Sequence, residues 1–161
     1  MKEISIDKID LGLLDALQRD AARSNQDLAA ALGISAATCL RRIRRLRDGG
    51  LIEHQMAVLG SDRLARVIGH GLSAVVEVTL EQQGDEYARA FEAKVVADDA
   101  VQQCYRVTPG PDFVLIVRVS DMPAYAALAQ RLFTADANVR NVKAFFSVKR
   151  SKFGAVLPLP S

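Results

Sequence analysis

Five arginines stand within seven residues, at positions 41, 42, 44, 45 and 47, the densest concentration of one chemistry in the 161-residue chain. Between Ser35 and Asp48 they face a single acid, so this segment carries +4. With +2 overall, the other 147 residues carry −2. Positive charge gathered on one short stretch of an otherwise slightly acidic chain suits a localised contact with a polyanion. On a helical wheel at about 100° per residue, Ala36, Cys39, Ile43 and Leu46 fall within about 80° and form an apolar stripe. Ala37, Thr38, Arg41, Arg44, Arg45 and Asp48 lie opposite. Arg42 and Arg47 flank the stripe, where their stems lie on apolar neighbours and their heads turn outward. Small residues come first and arginines follow, the order expected of a helix whose start enters the major groove of duplex DNA. There Ala37 and Thr38 reach thymine methyls, and Arg41 donates two bonds to a guanine edge. Arg42, Arg44, Arg45 and Arg47 are placed for phosphates, which position a protein without reading sequence. The expected DNA-binding set is Ser35, Ala37, Thr38, Arg41, Arg42, Arg44 and Arg45. The plain alternative is a solvated arginine face. The placement of the segment on the second helix of a capped pair decides for DNA.

Other reactive residue types form no constellation. His54 and His70 are not spaced with each other, or with Cys39 and Cys104, as metal ligands are. The two cysteines sit in apolar-periodic segments and read as small core residues in a reducing compartment. Ser24, Ser35 and Ser61 lack a nucleophile signature, and no glycine-rich phosphate loop occurs. Phe133, Phe145 and Phe146 read as packing residues. No enzyme activity, metal or cofactor is expected. No apolar run approaches the roughly 18 residues of a membrane span, and the start from Met1 lacks a signal-peptide core, so a cytoplasmic address is expected.

The elements that must position the arginines follow from periodicity. The first 52 residues read as three helices. Asp7 caps one that carries Ile9, Leu13, Leu14 and Leu17. Ser24 and Asp27 have capping-box spacing and open a second through Leu28 and Leu32, ended by Gly33. Ser35 caps the third, which stops at Gly49-Gly50. The last two make a helix-turn-helix. Residues 53–69 read as a linker with one short strand candidate over His54–Gly60. From about residue 70 the period becomes two: Leu72, Ala74, Val76, Val78 and Leu80 share a face. A helix over 84–97 follows, then strands over 101–108 and 113–119 around the turn Pro109-Gly110-Pro111-Asp112. A helix with Tyr125, Leu128, Ala129 and Leu132 and a strand over 139–149 complete the order βαββαβ. The predicted fold is α+β: a helix-turn-helix domain with its linker strand over residues 1–60, and a ferredoxin-like βαββαβ domain over 61–161. Pro158 and Pro160 predict an extended tail lying along a neighbour.

Ile6–Asp10, Leu14–Asp20 with Ala22-Arg23, Asp27–Ser35, Thr38–Leu46 and Gly50-Leu51-Ile52 together resemble the opening of the Lrp/AsnC (leucine-responsive/asparagine, feast/famine) family of transcriptional regulators. Val117–Tyr125 and Asn138-Val139 resemble its second half. The resemblance covers nearly the whole chain in order. It implies a winged helix-turn-helix and an amino-acid-sensing βαββαβ domain. It also implies dimers through the sheets, assembly into tetramers or octamers, and amino acids bound between dimers. In the family's effector loop, between the second and third strands, Thr108 and Asp112 are retained and Gly110 is present. Pro109 replaces a glycine and Pro111 an aromatic residue. Two prolines stiffen the loop and remove two backbone donors. The effector set implied is Thr108, Gly110 and Asp112; a plain hairpin turn, or a site for a different ligand, fits the same residues. The expected function is a sequence-specific DNA-binding regulator responsive to an amino acid or related metabolite. The alternative is a βαββαβ ligand-binding or enzymatic oligomer that does not bind DNA.

Overall fold

The computed structural model describes residues 4–69, 71–82 and 84–160, so Met1, His70 and Ser161 lie outside the described residues. The chain forms two compact units. One holds the residues up to Val58 together with those from Lys152, the other spans Leu59–Ser151.

The first unit contains α1 (Lys8–Arg19), α2 (Asn25–Ala31) and α3 (Ala36–Asp48). Each begins where a short polar side chain can take an otherwise unpaired helical N–H. Asp7, Ser24 and Ser35 accept from the backbone N–H of Asp10, Asp27 and Thr38. The complete reciprocal capping box is at Asp7–Asp10. At Ser24–Asp27 the serine hydroxyl, and not its backbone N–H, donates to the carboxylate at 2.7 Å. Gly33 has φ +65, the left-handed turn that lets the chain leave α2 and re-enter as α3. Leu13, Leu17, Leu28, Ala29, Cys39, Ile43 and Leu46 make the buried core. Ala36, expected on the apolar stripe, is exposed, because it is the first residue of α3 and precedes the packed turns.

The segment after α3 differs from expectation. Residues 53–60 carry no strand, so the expected linker strand is absent there. The linker instead contains a helix, α4 (Ser61–Ile68), ended by Gly69 at φ +76. Leu64, Val67 and Ile68 have the i, i+3, i+4 spacing of one helical face, a signal carried by too few residues to stand out from the polar stretch around it. From Lys152 the tail, which carries no helix or strand among its described residues, groups with the first unit, where Gln18 clasps Leu157 through both its amide groups, at 3.0 and 2.9 Å.

In the second unit, α4 is followed by β1 (Leu72–Leu80), α5 (Asp85–Val96), β2 (Val101–Arg106), β3 (Phe113–Val119), α6 (Met122–Ala129) and β4 (Val139–Phe146). The strands form one antiparallel sheet in the order β2-β3-β1-β4, the expected βαββαβ topology. Cross-strand partners Val76 with Leu115 and Ala144, and Val78 with Phe113 and Val142, set one face inward. Phe91 and Val95 of α5 and Tyr125 and Leu128 of α6 pack in the same cluster. A π turn over Gln130–Thr134 continues α6 and lets the consecutive Leu132 and Phe133 both be buried. β2 and β4 end earlier than expected, at Arg106 and Phe146. Val148 is fully solvated.

Candidate nucleic-acid interface

Packing orients α3. Cys39, Ile43 and Leu46 point into the core, so the opposite face is left to solvent. On it an open groove is lined by Ala37, Leu40, Arg41, Arg44, Arg45 and Asp48. Ala37 is exposed and Thr38 half-buried at its start. Ser35 donates its hydroxyl to Thr38 Oγ1 at 2.9 Å while accepting the Thr38 N–H at 3.2 Å. The Thr38 hydroxyl proton therefore remains available to another acceptor.

The five arginines divide into two kinds. Arg41 and Arg44 are exposed and make no hydrogen bond or ion pair among the described residues. Arg42 donates to Asp7 at 2.8 Å and to Asp10 at 2.9 Å. Arg45 donates to the other Asp10 oxygen and to the Ser5 carbonyl at 3.0 Å. Arg47 bonds Gln55 at 3.3 Å. The structure thus brings Ser35, Ala37, Thr38, Arg41 and Arg44 together on the open face. It ties the heads of Arg42 and Arg45, which the sequence places among the phosphate contacts, to α1 and its cap.

The loop between β2 and β3 holds Thr108 and Gly110, both exposed, and a half-buried Asp112. Gly110 has φ +122, which only glycine adopts readily. Asp112 ties the hairpin to β1: its carboxylate accepts the Leu80 N–H at 2.7 Å and its own N–H donates to Val78 at 2.9 Å. One oxygen of the acid expected to face an effector is therefore occupied by the fold. Cys39 and Cys104 are both free. Among the described residues no cluster of His, Cys, Asp or Glu could hold a metal ion, and no helix is long and apolar enough to cross a membrane.

Asp10 is the residue that sequence reading missed. It is 1% exposed, the sole buried charged side chain among the described residues. Two signals point to it. Asp7-x-x-Asp10 has capping-box spacing, and Asp10 lies i, i+3, i+7 with Leu13 and Leu17 on the buried face of α1. An acid there requires a cationic partner. Burial pushes its carboxyl up, but hydrogen bonds from Arg45, the Asp7 N–H and Arg42 outweigh burial and hold it at about 2, below the ordinary 3.8. Because the folded value is the lower one, the ionised form stabilises the fold above pH 3.8, and this is lost as pH falls towards 2. The expected loss is about 2 kcal/mol. Urea unfolding of the wild type and Asp10→Asn at pH 5, 3.5 and 2 measures it. The wild type should lose that much more than the variant, and parallel losses would refute the assignment.

Comparison with known proteins agrees with both units. Residues 6–53 match the family model described as winged helix-turn-helix DNA-binding. Residues 73–157 match the one described as Lrp/AsnC ligand binding domain. The chain is 34% identical to the Bkd operon transcriptional regulator of Pseudomonas aeruginosa, over 96% of this chain and 98% of that one. It is 30% identical to the DNA-binding transcriptional activator DecR of Escherichia coli, over 96% and 99%. Among solved structures, a transcriptional regulator of Neisseria meningitidis in complex with L-Met is similar with a TM-score of 0.79 and 25% identity. The similarity covers 96% of this chain and 97% of that one. With a helix-turn-helix unit, a four-stranded βαββαβ unit and these matches across nearly its whole length, the chain belongs to the Lrp/AsnC family of helix-turn-helix transcriptional regulators.

Proposed function

We propose that the protein reads duplex DNA by laying the start of α3 in the major groove, with Ser35, Ala37, Thr38 and Arg41 at base edges and Arg44 on a phosphate. The observation that carries this reading is the open α3 face, where two guanidinium heads without a partner among the described residues follow two small residues. It acts as a cytoplasmic regulator and not as an enzyme, a reading supported by relatives named as transcriptional regulators. Arg41→Ala should weaken binding to the cognate sequence by roughly 1–3 kcal/mol and relax preference at one base position. Arg44→Ala should weaken all sequences about equally and flatten the salt dependence by about one unit of log K per log salt. Gel-shift titrations on selected and scrambled duplexes distinguish the two effects, and unchanged affinity in both variants would end this reading.

The βαββαβ unit is proposed to bind a free amino acid at Thr108, Gly110 and Asp112. Support comes from its match to a ligand-binding family domain and from the L-Met complex of the Neisseria regulator. A ligand that binds only the folded protein raises the melting temperature. Thermal melts against the twenty amino acids, L-Met included, should give a shift for one or a few, reduced in Gly110→Val. Identical melts throughout would contradict amino-acid sensing.

The sheet face away from the helices supports a homodimer and, beyond it, a tetramer or octamer. Phe145, Val75, Ile116 and Gln103 form one cross-strand row there, and Lys143, Glu77, Val114 and Tyr105 the next. Val75, Tyr105 and Phe145 are 38%, 51% and 54% exposed, an apolar area that a second copy would cover. Light scattering at several concentrations should show at least a dimer, and Val75→Glu with Phe145→Glu should dissociate it. A monomer at every concentration would contradict the proposal.

A further inference from the structure

Resting on the DNA-binding reading, we propose that Asp10 is a positioning residue that limits sequence-independent DNA affinity by withholding the Arg45 guanidinium from the phosphate backbone. Arg45 lines the same outer groove as Arg41 and Arg44. Unlike theirs, its guanidinium is engaged, donating to the Asp10 carboxylate and the Ser5 carbonyl. A cation built into the groove-lining row is thereby paired with a buried carboxylate of the same chain. The trap is well made. Asp10 is 1% exposed, so water does not compete for it. One oxygen accepts from Arg42 at 2.9 Å, and the other from Arg45 and from the Asp7 N–H at 3.1 Å.

Arg42 differs from Arg45 in having a second carboxylate, Asp7, at 2.8 Å. Loss of charge at Asp10 therefore leaves Arg42 paired with a carboxylate and leaves Arg45 with only the neutral Ser5 carbonyl. Sequence-independent affinity scales with the number of phosphates neutralised, each adding about 0.9 to the slope of log K against log salt. Asp10 thus sets that number one lower per protomer than it would be with Arg45 released.

The test is a salt titration of the full-length protein on a mixed-sequence duplex of about three helical turns, followed by fluorescence anisotropy. Asp10→Asn, which keeps the shape and removes the charge, should steepen the slope by about 0.9 per bound protomer and tighten binding at low salt. Arg45→Gln in the wild-type background should leave slope and affinity unchanged. Arg45→Gln added to Asp10→Asn should return the slope to the wild-type value. A purely structural role for Asp10 predicts weaker binding at unchanged slope, and that result overturns the inference. So does a flattened slope in Arg45→Gln alone, a measurement that stands even where Asp10→Asn fails to fold. Arg41→Ala with Arg44→Ala in the same titration separates the two claims. If that pair leaves binding unaltered, the DNA-binding reading itself fails. If it weakens binding while Arg45→Gln flattens the slope as Arg44→Ala does, only the withholding fails.

Discussion

A single carboxylate in the interior of the first unit, that of Asp10, meets two guanidinium groups from α3, and the division of the α3 arginines between paired and open depends on that meeting. A lone ionised carboxylate away from water costs several kcal/mol, and removing one partner from a buried pair typically costs about 3–5 kcal/mol. The exposed pair Arg19–Asp15, with side chains 63% and 44% exposed, belongs to the class that water and salt screen heavily and that contributes little. Asp10 therefore makes the ion pairs that hold the heads of Arg42 and Arg45 towards α1, while Cys39, Ile43 and Leu46 set the rotation of α3 through the core. With Arg42 and Arg45 drawn towards α1, and Cys39, Ile43 and Leu46 in the core, Ala37, Thr38, Arg41 and Arg44 have only the solvent side left.

The second unit is governed by a different constraint, the two-residue period of its strands. Alternation puts Val76, Val78, Phe113 and Leu115 under the helices and leaves Val75, Ile116 and Phe145 on the other face. A sheet covered on one side with apolar residues on both has an unfinished surface, the physical basis for the self-association proposed. The β2–β3 loop closes the same sheet. Asp112 there serves the fold by accepting from Leu80, so any ligand at this loop meets an acid already half engaged.

Much of this architecture was legible because it rests on local rules. Cap residues Asp7, Ser24 and Ser35 mark three helix starts, and alternation in Leu72–Leu80 marks the central strand. Three features were not legible, each for a physical reason. The helix α4 has no side-chain cap and only three large apolar residues, Leu64, Val67 and Ile68, to declare its period. The docking of the tail on Gln18 is a contact between residues 139 apart in sequence, beyond the reach of any local pattern. The division of the arginines was hidden because a helical wheel shows where a stem leaves the helix and not where a long, flexible head ends. Arg45 projects outward on the wheel, yet its head reaches back to a carboxylate 35 residues earlier.

The central claim is that Arg41 and Arg44 meet DNA while Arg42 and Arg45 stay with Asp10. The most direct measurement is the guanidinium nitrogen and proton resonances of the α3 arginines as duplex DNA is titrated into the labelled protein. The account predicts that Arg41 and Arg44 shift with added DNA while Arg42 and Arg45 keep the positions they hold in the free protein. Movement of Arg42 and Arg45, with Arg41 and Arg44 unmoved, would contradict it.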